Sequence, residues 1–172
     1  DMTMIKPKTK VPELNLSLIN DTKWSLSAQE SETFTMLVFY RGLHCPVCKK
    51  YLESLTKKLE DFSSRGVNLI AISCDSEERA KKTGEKWDIT SLPIGFELPI
   101  QAAKEWGLFI SNGISDKEPK QFSEPGLFLV RPDGSLYASS IQTMPFARPN
   151  WDDILNAIDF VKKEDYPARG GA

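Results

Sequence analysis

Hydrophobic and polar positions along the chain follow two periods, and the places where they change mark the elements. Between Val11 and Leu18, Leu14, Leu16 and Leu18 alternate with polar residues, the period of a half-buried strand. A turn at Asn20-Asp21 leads to a second strand, Thr22 to Leu26, carrying Trp24. Ser27 to Glu32 is polar and predicts a short helical turn. The run Thr35 to Tyr40 is apolar on consecutive positions, as expected of a strand covered on both faces. The period then becomes helical. Cys48, Tyr51, Leu52, Leu55, Leu59 and Phe62 share one face of a single predicted helix, which Gly66 ends. Val67 to Cys74 is a second buried strand, and its return through a helix predicts a right-handed parallel crossover.

Asp75 with Glu78 three residues on has the spacing of a capping box and predicts a weak helix to about Lys86, with Gly84 inside it. A short strand is expected around Ile94 to Glu97, then a brief helix from Ile100 to Trp106, stopped at Gly107. Residues 108–124 hold no sustained period, and a stretch this long in a compact domain reads as a flap near the functional site or a surface excursion. Leu127 to Val130 is a core strand. The Asp133-Gly134 turn sends the chain back antiparallel through Leu136 to Ile141. Asn150 caps a last helix whose buried stripe is Trp151, Ile154, Leu155, Ile158 and Val161. The pattern gives one α/β domain over residues 11–163, with a flexible lead-in over 1–10 and a frayed tail over 164–172.

Composition narrows the function classes. The 172 residues suffice for a core without disulfide stapling. With 22 Lys+Arg against 24 Asp+Glu, nothing points to nucleic acid or an acidic membrane as partner. No apolar run approaches the length of a membrane span, and residues 1–10 lack the apolar core of a signal peptide. Three cysteines, one of them isolated, suit a reducing cytoplasm, although a processed periplasmic protein would read the same way.

The chemistry concentrates between strand and helix, in Tyr40-Arg41-Gly42-Leu43-His44-Cys45-Pro46-Val47-Cys48. Cys45 falls at the helix N-cap and Pro46 at the first helical position, where a missing N–H costs nothing. Cys48 lies one turn on, on the same helical face, at a spacing from which a disulfide can form and break. The N-cap position aims unpaired N–H groups and the positive helix end at the Cys45 sulfur, favouring the reactive thiolate, and Pro46 predicts that this sulfur is exposed. A zinc site would need more ligands than Cys74 and the single histidine, His44, supply. Two inert buried cysteines are the other alternative. Redox chemistry without metal or organic cofactor is the preferred reading.

The element order, with Leu37 to Gly42 followed by Cys45-Pro46-Val47-Cys48, Gly126 to Val130 with Pro132-Asp133-Gly134, and Pro145 to Pro149, resembles the peroxiredoxin branch of the thioredoxin superfamily. That branch is the alkyl hydroperoxide reductase/thiol-specific antioxidant group; the match is to a subgroup carrying C-P-x-C. The resemblance implies a thioredoxin-like fold, a central mixed sheet with helices on both faces, an N-terminal β-hairpin and a peroxiredoxin-type insertion. It implies a thiol peroxidase in which Cys45 attacks a hydroperoxide and Cys48 resolves the sulfenic acid. A thioredoxin- or glutaredoxin-type partner or a small thiol would restore the thiols, and a homodimer is compatible with it.

The chain departs from that pattern in three places. The family's proline seven residues before the cysteine is Val38, its threonine three before is Gly42, and its arginine before the Gly-Leu-Phe strand is Pro125. Thioredoxins place a cis-proline at the position of Pro125. These departures favour a general thiol–disulfide oxidoreductase acting on protein disulfides as the alternative, and a redox sensor without turnover as a third reading. Arg41 and Arg148 are the candidate cations to activate the thiol, and His44 a candidate proton donor or acceptor. Cys74 reads as a buried hydrophobe.

Overall fold

The computed structural model describes residues 4–172. Strands β1 (Asn15–Leu18) and β2 (Lys23–Ser25) form the expected N-terminal hairpin. Strand β3 (Phe34–Phe39) leads to helices α1 (Pro46–Thr56) and α2 (Leu59–Ser63) and to strand β4 (Val67–Ile72). Then come α3 (Glu77–Lys86), β5 (Ile94–Phe96), α4 (Ile100–Glu105) and a small hairpin, β6 (Ile110–Asn112) with β7 (Gln121–Ser123). Strands β8 (Gly126–Val130) and β9 (Leu136–Ile141) and helix α5 (Trp151–Glu164) complete the chain.

The main sheet has the order β2-β1-β5-β4-β3-β8-β9. The central β3 pairs parallel with β4 and antiparallel with β8, so the sheet is mixed. All six β3 residues are buried because alternate side chains enter two different cores. Phe34, Met36 and Val38 join Leu52 and Leu55 of α1, Phe62 of α2 and Trp151, Leu155 and Ile158 of α5. Leu37 and Phe39 face the other way, against Ile70, Trp106, Phe128 and the leucines of the β1 hairpin. Helices therefore cover both faces of the sheet, and β3 delivers its C-terminal loop to the top of the layer between them.

Four elements differ from the sequence reading. The single helix expected after the cysteines is broken at Lys57 and Lys58. There Thr56 Oγ1 donates to Leu52 O at 2.8 Å, the Lys58 N–H turns to Leu55 O, and Lys58 leaves helical geometry at φ −115°. The 3.6 period survives the break, so periodicity could not reveal it. Helix α3 is capped by Ser76, whose hydroxyl accepts from Arg79 N, and not by Asp75. Residues 108–124 contain the β6–β7 hairpin. The first strand starts at Asn15, while the turn expected after β2 is present, with the Gln29 N–H donating to Leu26 O at 3.1 Å.

Both ends of the described chain are hydrogen-bonded. Lys8 N and Val11 N donate to Leu136 O and Gly134 O, on the β8–β9 turn side of the sheet. Tyr137 donates its hydroxyl to Tyr166 O at 2.7 Å, and Ala168 is buried. No helix among the described residues is long and apolar enough to cross a membrane.

Candidate active site

The loop from Tyr40 to Cys45 is shaped by one glycine and one buried acid. Gly42 adopts φ +138°, a backbone conformation that side chains disfavour. A Cβ there would lie 2.7 Å from both Asp75 carboxylate oxygens. Asp75, just beyond β4, cannot swing away. It accepts from the Leu43 N–H at 2.8 Å and from Arg79 Nε at 3.1 Å, and its side chain is wholly buried. The place where the resemblance implied a threonine is thus filled by a carboxylate from the next strand, which holds the loop in position.

The loop ends on Cys45, the N-cap of α1, with Pro46 at the first helical position. Cys45 Sγ accepts from the Cys48 backbone N–H at 3.2 Å. The sulfur is therefore a helix-capping acceptor, a role that suits thiolate better than thiol. The hydrogen bond from the Cys48 thiol is the largest influence lowering the Cys45 pKa, to about 6. Burial opposes it, and the Cys48 N–H and the charges of Arg148 and Arg41 add to it. Cys48 moves the other way: burial pushes its thiol well up, and the hydrogen bond it gives Cys45 keeps its proton on. The pair holds one proton between two sulfurs, and the negative charge sits on Cys45. Both cysteines are reduced.

Cys45 is only 2% exposed, contrary to the exposed sulfur expected from Pro46 at the first helical turn. The proline itself is exposed, but Cys45 is buried with the first core.

The charges of Arg41 and Arg148 both reach this centre. Arg41 pairs with Glu124, Nε to Oε1 at 3.0 Å, and its guanidinium lies over the Phe122 ring at 5.0 Å. Glu124 also accepts from Ser111 Oγ at 2.5 Å, so the β6–β7 hairpin docks directly on the thiol loop. Arg148 comes from the loop before α5. Its Nη2 lies 3.2 Å from Cys48 Sγ and its Nε donates to Pro145 O at 2.6 Å.

His44 is not beside the reacting sulfur in a bonding sense. Its ring packs edge-on to Phe122 at 4.6 Å, and both ring nitrogens are buried without a partner. Burial lowers its pKa, which leaves it neutral near pH 7. The expected proton exchange between His44 and the sulfur is therefore not supported by a hydrogen bond. Pro125 precedes β8 as expected, but no peptide bond among the described residues is cis, so the cis-proline comparison with thioredoxins does not hold. Cys74 is half-buried against the second core and its thiol is pushed up by burial. No group of three or more His, Cys, Asp or Glu side chains among the described residues comes together as a metal cluster.

Sequence reasoning missed Asp75 and Glu124. A carboxylate at the end of a buried strand, and one wedged between Phe122-Ser123 and Pro125-Gly126, were the available signals. Acids in apolar surroundings are rare unless paired.

Residues 7–139 match the AhpC/TSA family. The chain is 28% identical over 153 residues to the 1-Cys peroxiredoxin PER1 of Arabidopsis thaliana, covering 87% of this chain and 68% of that protein. It spans 55% of the length of the 1-Cys peroxiredoxin of Dirofilaria immitis, at 26% identity and covering 66% of this chain. It is 24% identical to the alkyl hydroperoxide reductase C of Helicobacter pylori, covering 92% of this chain and 78% of that one. Among solved structures, a mutant of peroxiredoxin 6 from Arenicola marina superposes with a TM-score of 0.79 at 21% identity, over 94% of this chain and 75% of that one. Peroxidoxin BcpB from Mycobacterium tuberculosis gives 0.74 at 18% identity, over 91% and 98%. The structural likenesses establish the fold, and the family match covers most of the chain. The chain belongs to the AhpC/TSA family and is a peroxiredoxin-like protein of thioredoxin-like fold.

Proposed function

We propose that this protein is a thiol peroxidase in which Cys45 reduces a hydroperoxide and Cys48 resolves the product. The observation that carries the reading is the N-cap geometry of Cys45, whose sulfur accepts the Cys48 N–H at 3.2 Å and titrates at about 6. At neutral pH most of the Cys45 population is then thiolate, the nucleophilic form. The thiolate attacks the outer oxygen of the hydroperoxide: an S–O bond forms, the O–O bond breaks, and the alkoxide takes a proton from solvent. Cys45 is left as a sulfenic acid. The Cys48 sulfur then attacks it, an S–S bond forms, and the oxygen departs as water. A thioredoxin- or glutaredoxin-type dithiol, or a small thiol, returns both sulfurs to the reduced state by exchange.

The names of several relatives favour a second reading, a one-cysteine cycle in which an external thiol meets the sulfenic acid and Cys48 acts only as a hydrogen-bond donor. Cysteine usage continues to favour a reducing compartment.

Peroxide consumption separates these readings. Cys45→Ser abolishes turnover. Cys48→Ser permits one turnover and leaves a sulfenic acid that dimedone traps. If Cys48→Ser cycles with a dithiol as fast as the unchanged protein, the one-cysteine reading is correct. Peroxide reactivity no greater than that of free cysteine removes the peroxidase reading altogether.

A further inference from the structure

Arg148 is aimed at the wrong sulfur for a residue that merely activates the nucleophile. Its Nη2 stands 3.2 Å from Cys48 Sγ, and no hydrogen bond joins it to Cys45. Two further contacts fix the guanidinium there. Nε donates to Pro145 O at 2.6 Å, and the group lies over the Tyr51 ring at 5.4 Å. Tyr51 is itself stacked on Trp151 at 4.2 Å and donates its hydroxyl to Pro149 O at 2.6 Å, so shelf and arginine loop are tied together. Arg41, in contrast, is matched by Glu124. Among the described residues no carboxylate forms an ion pair with Arg148. Its charge faces a fully buried sulfur.

That sulfur has a difficulty which the first chemical step creates. In the resting enzyme the Cys48 proton is held toward the Cys45 thiolate. Once Cys45 carries oxygen, that acceptor is gone, and Cys48 must ionise in a site where burial strongly favours the neutral thiol. Only the thiolate attacks efficiently.

We propose that Arg148 is a catalytic residue of the resolving step, holding the Cys48 thiolate while it attacks the sulfenic sulfur of Cys45. The S–S bond forms and the S–O bond breaks. The departing hydroxide takes the proton that Cys48 gave up, leaving as water. Cys48 sulfur is oxidised and Cys45 sulfur is reduced, so no further electron carrier enters. Arg148 therefore acts twice, its charge favouring the Cys45 thiolate before the peroxide arrives and the Cys48 thiolate after it, whereas Arg41 favours the Cys45 thiolate. This rests on the peroxidase reading with Cys48 as resolving residue.

Rapid mixing with hydrogen peroxide tests it, following sulfenic acid by dimedone quench and disulfide by mass. The work is done at pH 8, where Cys45 is ionised with or without Arg148. Each unit by which the Cys48 pKa rises removes about tenfold of thiolate and returns about 0.4–0.5 decade of nucleophilicity. Losing the cation raises the Cys48 pKa, and the lost thiolate outweighs the regained nucleophilicity, so resolution is expected to slow about tenfold. Arg148→Met and Arg148→Gln are expected to show that loss, with the first step changed less than about twofold and resolution climbing steeply with pH. Arg148→Lys, which keeps the charge, recovers part of the rate.

Resolution at the unchanged rate in the neutral variants overturns the proposal. So does equal slowing of both steps, which would mark a loosened loop, or a lysine variant no better than methionine. If the unchanged protein forms neither sulfenic acid nor disulfide, the peroxidase reading falls and this proposal with it. Disulfide formation independent of residue 148 sinks this proposal alone.

Discussion

Installing the family's usual threonine at position 42 should damage this protein. The Cβ of any residue at Gly42 would stand 2.7 Å from the Asp75 carboxylate oxygens, and the backbone there is at φ +138°. Holding a side chain at such a φ costs about 1–3 kcal/mol. Forcing extra atoms into a packed site costs a similar amount, about 1–3 kcal/mol. The carboxylate cannot yield freely, since doing so gives up the Leu43 N–H at 2.8 Å and Arg79 Nε at 3.1 Å. Gly42→Thr is therefore expected to lose about 4 kcal/mol, or about 8–16 °C in Tm for a domain of this size. The loop shift also withdraws Cys45 from the N-cap, so its alkylation midpoint rises.

Thermal unfolding of Gly42→Thr, Gly42→Ala, Asp75→Ala and the Gly42→Ala/Asp75→Ala pair provides the assay. The cycle should show a coupling of about 1–3 kcal/mol in favour of the double variant, because removing the carboxylate relieves the clash but not the φ strain. A Gly42→Thr protein that melts at the parent temperature with an unchanged Cys45 titration would refute the reasoning.

Replacing Arg41 by Met should raise the midpoint of Cys45 alkylation, because its charge favours the thiolate; an unmoved midpoint would take Arg41 out of the site. The stability of the reduced protein should depend on pH in a stated direction. Folding lowers the Cys45 pKa to about 6, so the stability this adds is present above the unfolded thiol's value and is lost as pH falls through about 6. Folding raises the Cys48 pKa, so that thiol opposes folding once the unfolded chain ionises it, above roughly pH 8.5. Denaturant titrations should show stability climbing between about pH 6 and 8.5, by no more than about 1.4 kcal/mol per unit. Cys45→Ser should lack that climb, and equal slopes in both proteins would contradict the assignment. Asn150 accepts from both Asp152 N and Asp153 N, so Asn150→Ala should cost about 1 kcal/mol in urea unfolding, and no loss would mean the cap contributes nothing.

The parts of this molecule that sequence made readable are those decided by near neighbours along the chain. The six buried positions of β3, the Cys45 cap with Pro46 behind it, and Asn150 before α5 are each a local pattern with one physical meaning. The break between α1 and α2 escaped because the apolar period runs unbroken through Lys57 and Lys58. The β6–β7 hairpin escaped because strands of three residues are too short to display alternation. Asp75 looked like a cap because Glu78 stood at the right spacing, whereas the loop it holds, at Gly42 and Leu43, is more than thirty positions away. Arg148 was recognisable as a candidate, but which sulfur it serves is a property of how α5 packs on α1, and only the fold decides that.

The account stands on a charged Cys45 at neutral pH, and the rate of its alkylation by iodoacetamide as a function of pH tests this most directly. Followed on the Cys45 peptide of the reduced protein, the rate should reach half its plateau at about pH 6 and be level by pH 8. A rate still rising tenfold per unit through pH 8, as for an ordinary thiol with a pKa of about 8.5, would contradict it.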